Sequence, residues 1–348
     1  MSLIAPPPPP PPPLLTLPQL CEEIAAVIRE YQNRNYDATH VETWIAQFDE
    51  PERRIVLEET KRLLKGNYLT LSDFKKFIEQ VVEYLYVIQR VNWNCMSFLD
   101  LQKNGSSQRE LVALMQRYVS VRTPHSLSGI HVNQYVNINT FVYLDDVVFS
   151  GNRLYQDLRD WIETTAPNDC TVYIPVMGYY VYGQWKTHNL LIEAASNANK
   201  NINFIFRCLG RAGVKENRVS QRNGAQVFWP MPSVAGEPGV TQFLEGLTYP
   251  FSYRNFNFSS TFGASRRERF ENIMVKYGLR IIGFSAAPHF LLKPLGYSSL
   301  DGFGFGATTF SYRNCPNNAP LAFWWGDANA DSWSPLSRWY PLMPRITY

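Results

Sequence analysis

The sequence predicts an α/β protein: a mostly parallel sheet flanked by helices, with a helical cap before it and an irregular lobe after it. Three observations carry that prediction. Short apolar runs alternate with helical patterns between residues 92 and 290. A helical pattern precedes them, and a stretch rich in glycine, proline and aromatic residues follows. The chain of 348 residues, 45% hydrophobic and 18% charged, is large enough and apolar enough to bury a sizeable core.

Residues 1–16 form a proline-rich tail. Pro6 to Pro13 is unbroken proline, and a fixed φ without N–H groups favours an extended polyproline II rod. Such a rod is either an exposed tail or a ligand for an aromatic groove. Residues 17–91 read as the helical cap. A short helix is expected over His40–Phe48, another from Pro51 to Gly66, and a third from Ser72, where Phe74, Phe77, Ile78, Val81, Val82, Leu85 and Ile88 recur at three- and four-residue steps. Within residues 92–290, strands are expected at Cys95–Leu101, Thr140–Leu144, Thr171–Met177, Ile202–Phe206 and Arg280–Phe284. Helices are expected at Ser107–Tyr118, Asn152–Thr164, His188–Asn199 and Ser265–Tyr277. Residues 291–348, with Trp324, Trp325, Trp333 and Trp339, show little periodicity and read as a lobe packed on the α/β domain.

The net charge of +3, from 33 basic and 30 acidic residues, does not demand a nucleic-acid partner. Five cysteines, odd in number and widely scattered, have neither the spacing of a zinc site nor the number for a disulfide framework. No apolar run approaches the ~18 residues that span a bilayer, and the N-terminus lacks the basic start of a secretory signal. A cytoplasmic protein with no membrane contact is the expectation.

The chemistry concentrates in Phe141-Val142-Tyr143-Leu144-Asp145-Asp146-Val147-Val148-Phe149-Ser150-Gly151-Asn152-Arg153-Leu154. An apolar strand delivers two adjacent carboxylates, and a short loop of small and polar residues leads into a helix. Carboxylates are acceptor groups suited to the two vicinal hydroxyls of a ribose. A helix start offers unpaired N–H groups and the positive end of a dipole to a phosphate. Ser150 adds a hydroxyl, and Gly151 lets the backbone approach the anion closely.

This segment resembles the phosphoribosyl-pyrophosphate motif of type I phosphoribosyltransferases. The resemblance implies that Asp145 and Asp146 take the ribose hydroxyls, as binding and catalytic residues, while Phe149, Ser150, Gly151, Asn152 and Arg153 wrap the 5-phosphate. Two places depart from the pattern: Phe149 stands for a small hydroxyl residue, and Asn152-Arg153 for Gly-Thr. Three further stretches, His40–Phe48, Phe98–Gln108 and Tyr312–Leu321, are similar to the PRTase-CE family of bacterial conflict systems, some members of which accompany retron reverse transcriptases as antiphage effectors. The similarity runs from about residue 40 to the end.

By the same resemblance, Gln102, Lys103, Asn104, Gly105 and Ser106 are candidates for a pyrophosphate loop; ordinary turn-and-cap chemistry explains them equally well. Phosphoribosyl pyrophosphate would bring Mg²⁺, held mainly by substrate oxygens and water, so no dedicated metal cage is expected. The loop Arg207–Lys215 carries three cations and reads either as a solvated basic loop or as a contact for pyrophosphate, a base or a nucleotide. Tyr179, Tyr180 and Trp185 stand where a base could stack, or simply pack. The function expected is a phosphoribosyltransferase-like enzyme acting on phosphoribosyl pyrophosphate or a nucleotide, as a toxic effector in retron-type antiphage defence. Two alternatives stay open: an inactive module that senses such a ligand, and a structural partner of a reverse transcriptase with its DNA–RNA product. Oligomerisation is compatible with all three.

Overall fold

A computed structural model describes residues 14–102, 107–122, 131–210, 213–215, 226–254, 264–300 and 302–345. The proline run, and Lys103 to Ser106 of the candidate pyrophosphate loop, lie outside the described residues.

Four helices open the chain: α1 (Leu17–Ile28), α2 (Ala38–Ile45), α3 (Glu50–Asn67) and α4 (Leu71–Glu83). Their ends follow local chemistry. Thr16 and Thr70 each accept the N–H three residues on, while Gln19 and Asp73 reach back to the cap N–H groups. Asp37 caps α2 through the His40 N–H. On α4, Phe74, Phe77, Ile78 and Val81 are buried, as the periodicity predicts, and Leu85 beyond its end is buried too. Val82 is only partly covered and Ile88 is 58% exposed, because the helical repeat changes after Glu83. A two-residue strand, β1 (Tyr68–Leu69), separates α3 from α4.

The sheet follows. Its strands are β2 (Met96–Phe98), β3 (His131–Val132), β4 (Thr140–Val142), β5 (Asp145–Val148), β6 (Asp169–Tyr179) and β7 (Asn201–Cys208), and every pairing is parallel. Between them lie α5 (Ser107–Arg122), α6 (Asn152–Thr164) and α7 (Val181–Asn197). β4 and β5 meet the same edge of β6 in one register, Thr140 opposite Thr171 and Asp145 opposite Val176. The Tyr143 N–H bridges the interruption by donating to the Tyr173 carbonyl at 2.9 Å. The order across the sheet is therefore β3, β2, β4 with β5, β6, β7.

Alternation along the strands divides the core in two. Val142, Leu144, Tyr173 and Met177 face a cluster that includes Leu111, Val112, Met115 and Val119 of α5. Phe141, Tyr143, Val172, Ile174 and Val176 face Leu154, Leu158, Trp161 and Ile162 of α6 and Leu191 of α7. So α5 and α6 cover opposite faces of the sheet.

After β7 come α8 (Val240–Glu245), α9 (Ala264–Ile282), β8 (Phe310–Ser311) and α10 (Leu321–Trp324). The sequence suggests a strand at Arg280–Phe284, and here the structure corrects it. Phe270, Ile273, Met274, Tyr277 and Ile281 are all fully buried, at a helical repeat that carries α9 through Ile282. Two isoleucines in a row imitate a strand locally, while the repeat that governs them begins at Phe270.

The first helices and the last segment share the larger apolar cluster. β1 pairs with β8, Tyr68 opposite Phe310. The Tyr31 hydroxyl donates to the Pro344 carbonyl at 2.9 Å and accepts the Cys315 N–H at 2.9 Å. Trp44 Nε1 donates to the Ala322 carbonyl at 2.8 Å. The buried His40 ring makes two more links, Nε2 to the Leu342 carbonyl at 2.7 Å and Nδ1 to the Tyr340 hydroxyl at 2.8 Å. A carbonyl can only accept, so Nε2 carries the proton and Nδ1 accepts from Tyr340.

Candidate functional site

All strands run parallel, so the loops at their carboxyl ends gather along one edge of the sheet, where ligands bind in folds of this kind. The acid pair stands at that edge. β2 keeps pace with β4 as far as Phe98 opposite Val142, with the Leu99 N–H donating to the Val142 carbonyl at 2.9 Å. β5 continues past that point with β6 as its sheet partner. Asp145 and Asp146 thus sit on a strand that overshoots its neighbour, both only partly covered, whereas the sequence suggested a strand ending before them.

Each carboxylate accepts the next amide along the chain. Asp145 Oδ1 takes the Asp146 N–H at 2.9 Å, and Asp146 Oδ1 takes the Val147 N–H at 2.7 Å. Burial pushes the Asp145 carboxyl well above the usual carboxylate range, and the adjacent Asp146 charge adds to that; Arg313 and Arg153 oppose it. Asp145 therefore favours holding a proton that an isolated aspartate would release. Below it, the buried Tyr143 hydroxyl donates to Asp157 Oδ2 on α6 at 2.8 Å and bonds the Gln102 side chain.

The loop that follows is largely exposed and turns through a left-handed glycine. Ser150, Asn152 and Arg153 are exposed, and Gly151 is buried with φ at +71°. No side chain caps α6. Its first N–H groups have no intrahelical acceptor, and the Asn152 N–H reaches the Ser150 hydroxyl at 3.5 Å, the outer limit of a hydrogen bond. A bare helix start with an arginine in its first turn attracts negative charge.

Two glycines hold this loop against α7. A Cβ on Gly151 would lie 1.7 Å from Thr187 Oγ1, and one on Gly183 would lie 1.8 Å from the Phe149 carbonyl oxygen. Phe149 itself turns away from the exposed residues. Its ring packs on Tyr180 at 5.1 Å and Phe305 at 6.4 Å between centroids. The aromatic residue that breaks the sequence pattern anchors the loop to the C-terminal lobe.

The remaining candidates fall in different places. Gln102 is buried, and its side-chain oxygen accepts the Gln108 N–H at 3.1 Å, while Gln108 takes the Leu101 N–H at 2.7 Å. This reciprocal clasp fixes the start of α5 beside the acid pair. Tyr180 is a core residue whose hydroxyl accepts the Thr308 N–H at 2.9 Å, and Trp185 stands 59% exposed away from it. In the basic loop, the Arg207 guanidinium lies over the Tyr84 ring at 5.2 Å, Lys215 is exposed, and Arg211 lies outside the described residues.

Arg313 is the residue that sequence reasoning missed. Its Nη1 lies 3.9 Å from Asp146 Oδ2, and its Nε donates to Glu110 Oε2 on α5 at 2.9 Å. It comes from just beyond β8, and a lone arginine in an irregular segment carries no local signal. Among the described residues, no three histidine, cysteine or acidic side chains gather as a metal cage, and no helix is long and apolar enough to cross a membrane.

Comparison with known proteins adds three findings. The model of the PRTase-CE family matches residues 41–345. Among solved structures, the xanthine-guanine-hypoxanthine phosphoribosyltransferase of Helicobacter pylori is similar at 12% identity and a TM-score of 0.26, over 43% of this chain and 89% of that one. No curated protein matches.

Proposed function

This chain belongs to the PRTase-CE family, and from that premise we propose that it is a phosphoribosyltransferase-like enzyme whose ligand carries a ribose 5-phosphate. One observation carries the reading: two adjacent carboxylates on a strand that overshoots its neighbour, followed at once by an uncapped helix start. In this reading Asp145 and Asp146 accept the two ribose hydroxyls. The backbone of Phe149 to Gly151, the Ser150 hydroxyl and Arg153 receive the 5-phosphate. Phosphoribosyl pyrophosphate is the substrate that fits this arrangement, with a nucleotide as the related choice.

The reaction would form a bond from a nucleophile to ribose C1 while the bond from C1 to the pyrophosphate oxygen breaks, its electron pair leaving with pyrophosphate. Positive charge grows on the ribose ring as it does so. Two carboxylates beneath the ring favour that charge, and a bound diol fixes C1 in line with the nucleophile. Mg²⁺ fits as a hard cation carried in by the diphosphate, with Asp145 and Asp146 as the chain's own oxygen donors nearby.

Incubating the protein with phosphoribosyl pyrophosphate, Mg²⁺ and cell-extract metabolites tests the reading. Release of pyrophosphate with a ribosylated product supports it. Binding without product favours a second reading, a sensor of the same ligand, which the anchored Phe149 motivates. The cellular role we propose is a cytoplasmic toxic effector of retron-type antiphage defence, supported by the family resemblance. Its failure to co-purify with a reverse transcriptase and the DNA–RNA product at low salt would count against that role.

A further inference from the structure

β7 ends its side of the sheet, and among the described residues no strand pairs with its outer edge. The pairing with β6 shows which groups that edge presents. The Asn201 N–H donates to the Asn168 carbonyl at 2.7 Å, and the Leu209 N–H to the Val176 carbonyl at 2.9 Å. Alternation then turns the backbone groups of Asn201, Asn203, Ile205 and Arg207 toward β6, and those of Ile202, Phe204 and Phe206 outward. Among the described residues, no hydrogen bond takes those outward groups.

An edge left this way is a template for another strand unless charge, proline or a bulge blunts it. β7 has no proline, one charged residue (Arg207) near its end, and an unbroken register with β6 from Asn201 to Cys208. Both flanks of the edge carry apolar surface. On one face, Ile202 and Phe206 are half-buried in the cluster that includes Leu191 of α7. On the other, Arg207 lies over the Tyr84 ring at 5.2 Å, and the π-helical turn Tyr84–Ile88 leaves Tyr86, Val87 and Ile88 more than half exposed.

The sequence of β7 also closes on itself. Set antiparallel to a second copy about a two-fold axis through Phe204, its outward residues meet outward residues, as a ladder requires. Ile202 then faces the partner's Phe206, an apolar cross-strand pair on the α7 side. Asn201 faces the partner's Arg207. The Asn201 side chain donates to Asp169 Oδ1 at 2.9 Å, and Asp169 is exposed on the adjoining strand. Two strand spacings, about 9.6 Å, separate that backbone from the partner's Arg207, a span that an extended arginine and an aspartate bridge together. Each end of the contact thus joins a cation to an anion. A register displaced by two residues carries the guanidinium away from Asp169. We propose that the β7 edge binds a second copy of this chain, joining two sheets into one across a two-fold axis. The proposal does not depend on the ligand read for the acid pair.

Sedimentation velocity of the full chain over a micromolar concentration series tests it. The unaltered chain is expected to form dimers. Ile202→Pro removes an outward N–H that the β6 pairing does not use, so it is expected to sediment as a folded monomer. Arg207→Glu sets two acids together at each end and should weaken the dimer at least about 10-fold. It serves where Ile202→Pro does not fold. Adding Asp169→Lys to Arg207→Glu restores opposite charges and should recover most of the loss. A chain that stays monomeric throughout overturns the proposal, as does a dimer that neither single change weakens. Equal weakness of Arg207→Glu with and without Asp169→Lys overturns it too, because the two side chains then do not meet.

Discussion

Gly183 is the position where a conservative change should separate function from stability. It lies in α7, where glycine costs a helix ~1 kcal/mol relative to alanine, so Gly183→Ala looks stabilising on helix propensity alone. The contact with the loop reverses this. The added Cβ would fall 1.8 Å from the Phe149 carbonyl oxygen and 3.0 Å from its carbon. Bringing that oxygen out to even 3.0 Å requires about 1.2 Å of movement, and the backbone of Phe149 to Gly151 must supply it. Overpacking of this kind costs ~1–3 kcal/mol, partly offset by the gain in helix propensity. Stability should therefore change by no more than ~2 kcal/mol. A phosphate held by these backbone N–H groups responds more sharply. Such a displacement takes an ordinary hydrogen bond past its working range, and losing one charge-assisted bond costs ~1.5–3 kcal/mol, or about 10- to 150-fold in Kd. Calorimetry with phosphoribosyl pyrophosphate, beside thermal melts, measures both. Gly66→Ala is the control, because a Cβ there meets nothing within 4 Å and lies far from the loop in sequence, within α3. It should raise stability by up to ~1 kcal/mol and leave binding untouched. Unchanged binding in a folded Gly183→Ala variant would refute the claim that the loop's position matters to the ligand.

Two further predictions concern pH. Asp145 has a raised folded-state pKa, so the folded chain holds its proton more tightly than the unfolded chain, and this contribution is present at low pH and lost as pH rises through the raised value. Asp146→Asn removes the neighbouring charge that helps raise it, so the melting temperature of the variant relative to the unaltered protein should climb from pH 5 to pH 9; a gap independent of pH would contradict this. His40 is the opposite case: burial lowers its folded value below the ordinary 6.5, so its neutral form stabilises the fold above that value and the contribution is lost as pH falls below it. His40→Gln should flatten that part of the stability profile between pH 7 and pH 5 in denaturant titrations, and an unaltered slope would show that burial of the His40 ring does not govern it.

Much of the fold was legible because strand and helix periods differ and the chain keeps them apart. Val142, Leu144, Phe141 and Tyr143 alternate between two cores, as a central strand must, and α4 shows its buried face in the spacing of Phe74, Phe77, Ile78 and Val81. The strand assigned at Arg280–Phe284 failed because two adjacent isoleucines outweighed a helical repeat running from Phe270. The candidate site was legible where its parts are consecutive. An acid pair, a glycine and a helix start within nine residues form a local pattern. What packs around them is not local. Gly183 looks like an ordinary helix glycine until Phe149 is seen against it, and Phe149 looks like a defect until Tyr180 and Phe305 are seen around its ring. Arg313 reaches the acids through the pairing of β1 with β8, two short strands at opposite ends of the sequence. No spacing rule connects residues brought together that way.

The affinity of phosphoribosyl pyrophosphate for the unaltered protein and for the Asp145→Asn/Asp146→Asn variant, measured by calorimetry with Mg²⁺, tests the role of the acid pair most directly. Charge-assisted bonds to the diol contribute ~1.5–3 kcal/mol each, so binding by the unaltered protein and a loss of at least about 10-fold in a folded double variant are predicted. Equal affinity in the two proteins would contradict the assignment of the acid pair to the sugar.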